Sequence, residues 1–169
     1  NDSIGNRFLN LFLSKAKTGV RVRLLCDGAG SYNLLNSSRP AELSAKGVQI
    51  RFFNVINPWR INNYASWFFR DHRKLLIVDD TVGATGGVSI RDSMATWRDT
   101  LVTIKNSSVQ EMALAFRRMW EQALSKKFIA GRSHFTKGDL SFLTNAPHPG
   151  ERFLYRRLVG ALRDAKRYI

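Results

Sequence analysis

Acidic side chains are scarce in this sequence: 13 Asp and Glu stand against 27 Lys and Arg, a formal net charge of +14. Such an imbalance implies an anionic partner. Nucleic acid, an anionic membrane face and a phosphorylated substrate all qualify, and charge alone does not rank them. Cysteine is nearly absent. Cys26 stands alone, which excludes an internal disulfide, and its place at the end of an apolar strand pattern marks it as a small buried residue rather than a reactive thiol. Long apolar runs are missing as well. Nothing approaches the roughly 20 residues of a membrane span, and the first residues carry no signal-peptide pattern. The expected chain is soluble or at most peripheral to a membrane, and the sequence leaves room for an anchor ahead of Asn1. No His, Cys and carboxylates gather at ligand spacing, so neither a metal nor any other cofactor is expected.

What is present suffices for one sizeable core: 169 residues with 44% hydrophobic content. Ile4, Phe8, Leu9, Phe12 and Ala16 mark one face of a helix that ends near Gly19. Val20 to Cys26 alternates, with Arg21 and Arg23 opposite Val20, Val22 and Leu24, and reads as a strand. Asp27 to Ser31 is then a loop at a strand's carboxyl end, where α/β sheets bind ligands, or a simple turn. A short helix over 38–46 and a strand from Val48 to Phe53 follow. The stretch from Asn57 to Phe69 is rich in aromatic and amide residues; Trp59, Tyr64, Trp67, Phe68 and Phe69 pack the approach to the next strand or form a lipid- or base-facing lip. Further on, Leu101 to Ile104 reads as a strand. Ser108 with Glu111 makes a capping box for a helix whose Val109, Met112, Ala113, Phe116, Trp120 and Leu124 form a core stripe. Lys126 to Lys137 reads as a basic surface connection, Leu140 to Leu143 as a brief strand, and Glu151 as the start of a helix with Leu154, Leu158, Ala161, Leu162 and Ala165 on one face. Arg167 to Ile169 resembles the opening of another strand.

The chemistry concentrates in Arg70-Asp71-His72-Arg73-Lys74, the apolar run Leu75 to Val78, Asp79, and Thr85-Gly86-Gly87-Val88-Ser89. The apolar run predicts a buried strand, with a second strand over Thr81 to Thr85 a tight turn away. Residues two apart on a strand share a face, so His72 and Lys74 are expected side by side. A neutral imidazole is a competent nucleophile near pH 7, and a neighbouring ammonium stabilises charge on phosphoryl oxygens. Gly86 and Gly87 let the backbone approach a ligand, with the Ser89 hydroxyl as a nearby donor. By chance, His-x-Lys-x4-Asp arises about once per hundred chains of this composition.

This segment resembles the phospholipase D superfamily, whose signature is His-x-Lys-x4-Asp followed six residues later by Gly-Ser/Gly-x-Asn. The wording is most similar to the bacterial cardiolipin synthase branch, through Gly19 to Asp27, Gly30-Ser31, Gly47-Val48, Phe53-Asn54, Arg70 to Lys74, Thr85 to Gly87 and Trp97-Arg98-Asp99-Thr100. Ser89 departs from it, standing where the family usually carries Asn; a serine donates a hydrogen bond but reaches less far. The resemblance implies an α/β fold, a phospholipase D-like α-β-α sandwich with a central mixed sheet. It implies a first catalytic lobe over 1–130, a connection over 131–150 and the start of a second lobe over 151–169. It further implies phosphatidyl transfer or phosphodiester cleavage on an anionic phospholipid through a phosphohistidine, with peripheral contact at a bacterial membrane or its cytoplasmic face. A second His-x-Lys motif would come from a second half or a homodimer partner. His72 would serve as nucleophile or general acid, Lys74 as charge stabiliser, Gly86, Gly87 and Ser89 as substrate binders, and Asp99 as the carboxylate that orients the imidazole. Asp79, roughly 20 Å or more from His72 along an extended strand, would hold the strand-to-turn geometry. A homodimeric nuclease of the same superfamily and a non-catalytic basic module for membrane or nucleic acid are the competing expectations.

Overall fold

Two helices end by the same device, and each delivers a strand. In the computed structural model, which describes residues 2–56, 68–105, 107–125, 134–137, 140–144 and 152–168, α1 spans Ser3–Lys17 and closes at Gly19 with a left-handed φ of 84°. There the Gly19 and Val20 N–H groups donate back to the Ala16 and Lys15 carbonyls at 3.0 and 3.1 Å, a turn that glycine adopts without steric cost. The chain then enters β1, Arg23–Asp27. After the single turn α2, Tyr32–Leu35, comes α3, Arg39–Ala45, which ends at Gly47 with φ of 90° and feeds β2, Gln49–Phe53. β1 and β2 pair in parallel, Leu24 opposite Ile50 and Arg23 opposite Gln49.

Both faces of this parallel pair are covered, as an α-β-α sandwich requires. On one face Leu9, Leu13, Leu43 and Val48 form a buried cluster from α1, α3 and the start of β2, with Phe12, Leu24, Leu34 and Ile50 against it. On the other lies α4, Ser108–Ser125, which buries Val109, Met112, Ala113, Ala115, Met119 and Trp120. Leu43, Met112, Val48 and Val109 are fully buried, and each such side chain removes apolar surface worth roughly 1.5–3 kcal/mol from water. Arg23 and Arg51 of the two strands are not left to solvent, whereas Arg21, ahead of β1, is exposed. Arg51 sits 4.1 Å from the centre of the Trp120 ring and donates to the Trp120 carbonyl at 2.7 Å, while Arg23 stacks over Phe116 and Trp120.

The antiparallel strands form their own ladder: β3, Lys74–Val78, pairs with β4, Val82–Gly86, which pairs with β5, Leu101–Ile104. α4 also covers this ladder, and a side chain at Gly83 would collide with Met112. A third pair, β6 over His134–Lys137 and β7 over Leu140–Leu143, is antiparallel. The α/β class therefore holds, with parallel and antiparallel pairing divided between short ladders. The last helix, α5, spans Phe153–Asp164.

Several sequence expectations shift. Residues 134–137 pair as a strand where a plain connection was expected, because β7 offers them a hairpin partner. Ser108 lies inside α4 and is buried, so it is the first helical residue and not the cap of a capping box. Leu124 is 60% exposed at the end of α4, past the last residues the sheets can cover. Arg167 and Tyr168 form no strand, having no neighbour to pair with among the described residues. Of the aromatic stretch, residues 57–67 lie outside the described residues, and Phe68 is 75% exposed.

Candidate active site

The two sides of the Arg70–Lys74 segment face different surroundings. Asp71, Arg73 and Leu75 line a common cleft with Leu25 and with Ala115, Phe116 and Met119 of α4. Asp71 and Arg73 form a forked ion pair there, Arg73 Nε donating at 2.8 Å to one carboxylate oxygen and its terminal nitrogen at 3.0 Å to the other. The intervening His72 is exposed, and Lys74 stands across from Gly86 in the ladder. β3 begins at Lys74, so His72 sits just before the first paired residue. The Lys74 ammonium folds back and donates to the His72 carbonyl at 3.0 Å. Histidine main chain and lysine side chain are thus held together on the edge of the ladder.

Asp99 arrives at the same corner from the loop before β5. A side chain at Gly87 would collide with its carboxylate, and one at Gly86 would collide with the Thr100 carbonyl. The sequence reading gave these two glycines to a ligand. In the structure the room they make also admits the chain's own Asp99 and Thr100. The Gly87 N–H donates to the Thr100 carbonyl across a long 3.4 Å, and the Thr100 N–H donates to the Asp99 carboxylate at 2.7 Å. Asp99 also shares a cleft of about 90 Å³ with Val88, Ser89, Met94 and Trp97. No hydrogen bond joins Asp99 to the His72 ring among the described residues; the charge it acts on is that of Lys74. Burial pushes the Lys74 ammonium below the ordinary lysine range, Asp71 and then Asp99 pull it back up, and Arg91 lowers it.

Asp79 occupies the other end of β3. It and Asp80 both take a left-handed φ of 52° in the turn to β4, closed by the Thr81 N–H donating to the Val78 carbonyl at 3.1 Å. This is the type I′ combination that Asp tolerates better than most residues. Asp79 is therefore a turn residue, away from the corner where Lys74, Gly87 and Asp99 meet.

Sequence reasoning places Asp27 at the head of a ligand-binding loop or a simple turn, and misses that it also aims the segment. Asp27, at the carboxyl end of β1, accepts the N–H of Ala29 at 3.0 Å, of Gly30 at 2.9 Å and of Asp71 at 3.0 Å. Its carboxylate also lies 3.4 Å from the Arg70 guanidinium, which donates to the Asn54 carbonyl at 2.8 Å. The signal was present: an acid closing a strand, followed by Gly-Ala-Gly. A second omission is Asp92, in the short 3₁₀ turn Asp92–Met94 of the loop between β4 and β5. Its carboxylate accepts the Ser3 and Ile4 N–H groups at 2.6 and 2.8 Å, tying the loop that carries Ser89 and Asp99 to the start of α1. Cys26, next to Asp27, is half-buried, and burial pushes its thiol up to about 11.

Among the described residues no three His, Cys or carboxylates gather as a metal site, and no helix is long and apolar enough to cross a membrane. Residues 4–120 match the family described as "Cardiolipin synthase, PLD-like domain". The chain is similar to the cardiolipin synthase of Alkalihalophilus pseudofirmus, 32% identical over 150 residues, which are 82% of this chain and 29% of that protein. It is also similar to the cardiolipin synthase of Halalkalibacterium halodurans, 35% identical over 126 residues, 70% of this chain and 24% of that protein. The cardiolipin synthase 1 of Bacillus cereus aligns with 99% of the chain at 25% identity, over 36% of its own length. The chain thus spans 24% to 36% of the curated relatives it matches.

Proposed function

Because this chain belongs to the cardiolipin synthase, PLD-like domain family, we propose that it is one catalytic half of an enzyme that moves phosphatidyl groups between alcohols. The observation that carries the reading is the corner itself: Lys74 bonded to the His72 main chain, and Asp99, whose charge acts on Lys74, set against Gly87 and sharing a cleft with Ser89. An imidazole nitrogen, from His72 or from the His of a second motif, attacks phosphorus and forms a P–N bond as the P–O bond to the leaving alcohol breaks. The other imidazole gives that oxygen its proton. An incoming alcohol, deprotonated by the same group, then attacks phosphorus and releases the histidine. Lys74 stabilises the equatorial oxygens during both steps. Asp99, with Asp71, helps keep Lys74 charged, and acts as the carboxylate that orients the imidazole once substrate draws the corner together. The Ser89 hydroxyl donates to the phosphate, and the Gly87 N–H can trade its long bond to Thr100 for one to the same oxygen. The second histidine comes from another half of the parent protein or from a second copy, and the phospholipid is met at a membrane face.

The test uses the full-length parent with a phospholipid labelled in its phosphate. His72→Ala is expected to lower phosphatidyl transfer by at least about a thousand-fold, and an alkaline quench of the unmodified enzyme should leave label on histidine. Transfer that survives His72→Ala overturns the proposal. Cleavage of single-stranded DNA by a dimer, with no phospholipid turnover, would also overturn it and move the assignment to a nuclease.

A further inference from the structure

The loop between β4 and β5 carries a cation that the steps above do not use. Arg91 follows Ser89 by two residues and is extended, with φ of −163° and ψ of 150°. Its backbone is held on both sides. The Arg91 N–H donates to the Ser89 carbonyl at 3.1 Å, closing a tight turn. The next residue, Asp92, is tied by its carboxylate to the Ser3 and Ile4 N–H groups of α1. Arg91 is thus fixed one turn away from Ser89 and from the cleft that Ser89 shares with Asp99.

Its guanidinium enters no ion pair among the described residues, and the charge of Arg91 acts on Lys74. Burial and Arg91 lower that ammonium, Asp71 and Asp99 raise it, and it stays below the ordinary lysine range. Both acids have other partners. Asp71 is forked onto Arg73, and Asp99 accepts the Thr100 N–H. Two cations that act on one corner repel, and an anion between them relieves both. The side chain says which anion. A guanidinium meets two oxygens of one phosphate with parallel N–H bonds, where an ammonium offers a point charge. Ser89 supplies the reason for a second grip: it stands where the resembled family usually carries Asn and reaches less far. A guanidinium two residues on has the length that the hydroxyl lacks.

We propose that Arg91 is a further substrate-binding residue, its guanidinium forked onto the two non-bridging oxygens of the phosphodiester at this corner and supplying the reach that Ser89 lacks. The proposal rests on the reading of the corner as a phosphodiester site, and adds to it a residue that belongs to neither half of the His-x-Lys-x4-Asp and Gly-Gly-x-Ser pattern.

The experiment takes the full-length parent through two assays. Binding of inorganic phosphate, followed by the broadening of its phosphorus-31 line, reads the grip alone; phosphatidyl transfer reads its use. Arg91→Gln is expected to weaken phosphate binding by about ten-fold and to lower kcat/KM for transfer by about ten- to a hundred-fold, with the circular dichroism spectrum unchanged. Arg21→Gln removes the same charge from an exposed position ahead of β1 and should leave both readings within about two-fold. Adding Ser89→Asn to Arg91→Gln should regain most of the loss, because the longer amide reaches an oxygen that the hydroxyl does not. Phosphate binding that ignores Arg91→Gln, losses no larger than those of Arg21→Gln, or a double variant no better than Arg91→Gln overturns the proposal. Should Arg91→Gln fail to fold, Arg91→Lys keeps the charge and removes the fork; phosphate binding equal to the parent's then sinks the idea. The two readings separate cleanly. A parent that binds phosphate through Arg91 but transfers no phosphatidyl group supports the grip and overturns the phosphatidyl assignment, and a transferring parent indifferent to Arg91 does the reverse.

Discussion

Burial lowers the Lys74 ammonium, and two acids that are not its sequence partners in the motif oppose that fall: Asp71 and, behind it, Asp99. The ammonium is charged below its pKa, so a depressed value brings the loss of that charge to lower pH than an ordinary lysine would. If Lys74 stabilises a phosphoryl group, the alkaline limb of turnover should follow that depressed value. The protein alone gives a direct check. In a carbon-13 titration of the lysine side chains, Lys74 should titrate below the exposed lysines. Asp99→Asn removes an interaction that raises it and should move it lower; Arg91→Gln removes one that lowers it and should move it higher. A Lys74 indistinguishable from the other lysines, or unmoved by both changes, would mean that Asp99 does not govern its charge. The strand period places His72 and Lys74 on one side of the chain; the structure shows the Lys74 ammonium on the His72 carbonyl, with His72 two residues ahead of β3. The carboxylate beside Lys74 comes from 25 residues further on, and only the family resemblance pointed to it.

The loop between β4 and β5 shows how an element far from the corner keeps its geometry. Its residues Ser89 and Asp99 are held between two strands, yet the loop's middle is fixed elsewhere, at the positive end of α1. There Asp92 accepts two backbone N–H groups and the Ser3 hydroxyl, while Asp2 accepts the N–H of Gly5 at 3.0 Å and of Asp92 at 3.1 Å. The α1 N–H groups hold the Asp92 carboxyl below the usual carboxylate range. A carboxyl lowered on folding contributes stability above its unfolded value, near 3.9, and that contribution is lost as pH falls through the folded value. Asp92→Ala should therefore leave the helices intact by circular dichroism but make the 88–100 loop several-fold more sensitive to limited proteolysis at neutral pH, and the unmodified protein should approach that sensitivity only in acid. Equal cleavage rates for the two at neutral pH would show that the strands alone hold the loop. The sequence marked neither end of this clamp, since Asp92 and α1 are 88 residues apart. The turn at Asp79 and Asp80 is the opposite case: a local device between two strand patterns, and readable as one.

At the scale of the whole molecule, the helix-to-strand alternation of the first 53 residues and the long α4 stripe could be read directly, because apolar periodicity reports local burial. Less legible was how the strands divide into ladders. A covered face that uses arginine stacked on aromatic rings in place of aliphatic residues looks solvent-facing in sequence, as Arg23 does. The parallel and antiparallel ladders share no strand-to-strand pairing among the described residues. α4 lies across both, and the polar seam between them is the Asp27 carboxylate. From the end of β1 it holds Arg70 and the Asp71 N–H just ahead of β3, while the Asn54 side chain beyond β2 donates to the Phe69 carbonyl at 2.8 Å. Asp27 is only 12% exposed, so removing it strands several donors where water reaches poorly. Asp27→Ala should cost about 2–4 kcal/mol, measured by urea unfolding, and Asp27→Asn roughly half of that, because Oδ1 can still accept from Ala29 and Gly30. The same alanine change should blunt transfer by the full-length parent although it touches neither His72 nor Lys74, since the segment that carries them loses its hold on β1. A cost under about 0.5 kcal/mol, the range of an ordinary surface change, would mean that α4 alone docks the two ladders and that Asp27 closes nothing more than its own turn.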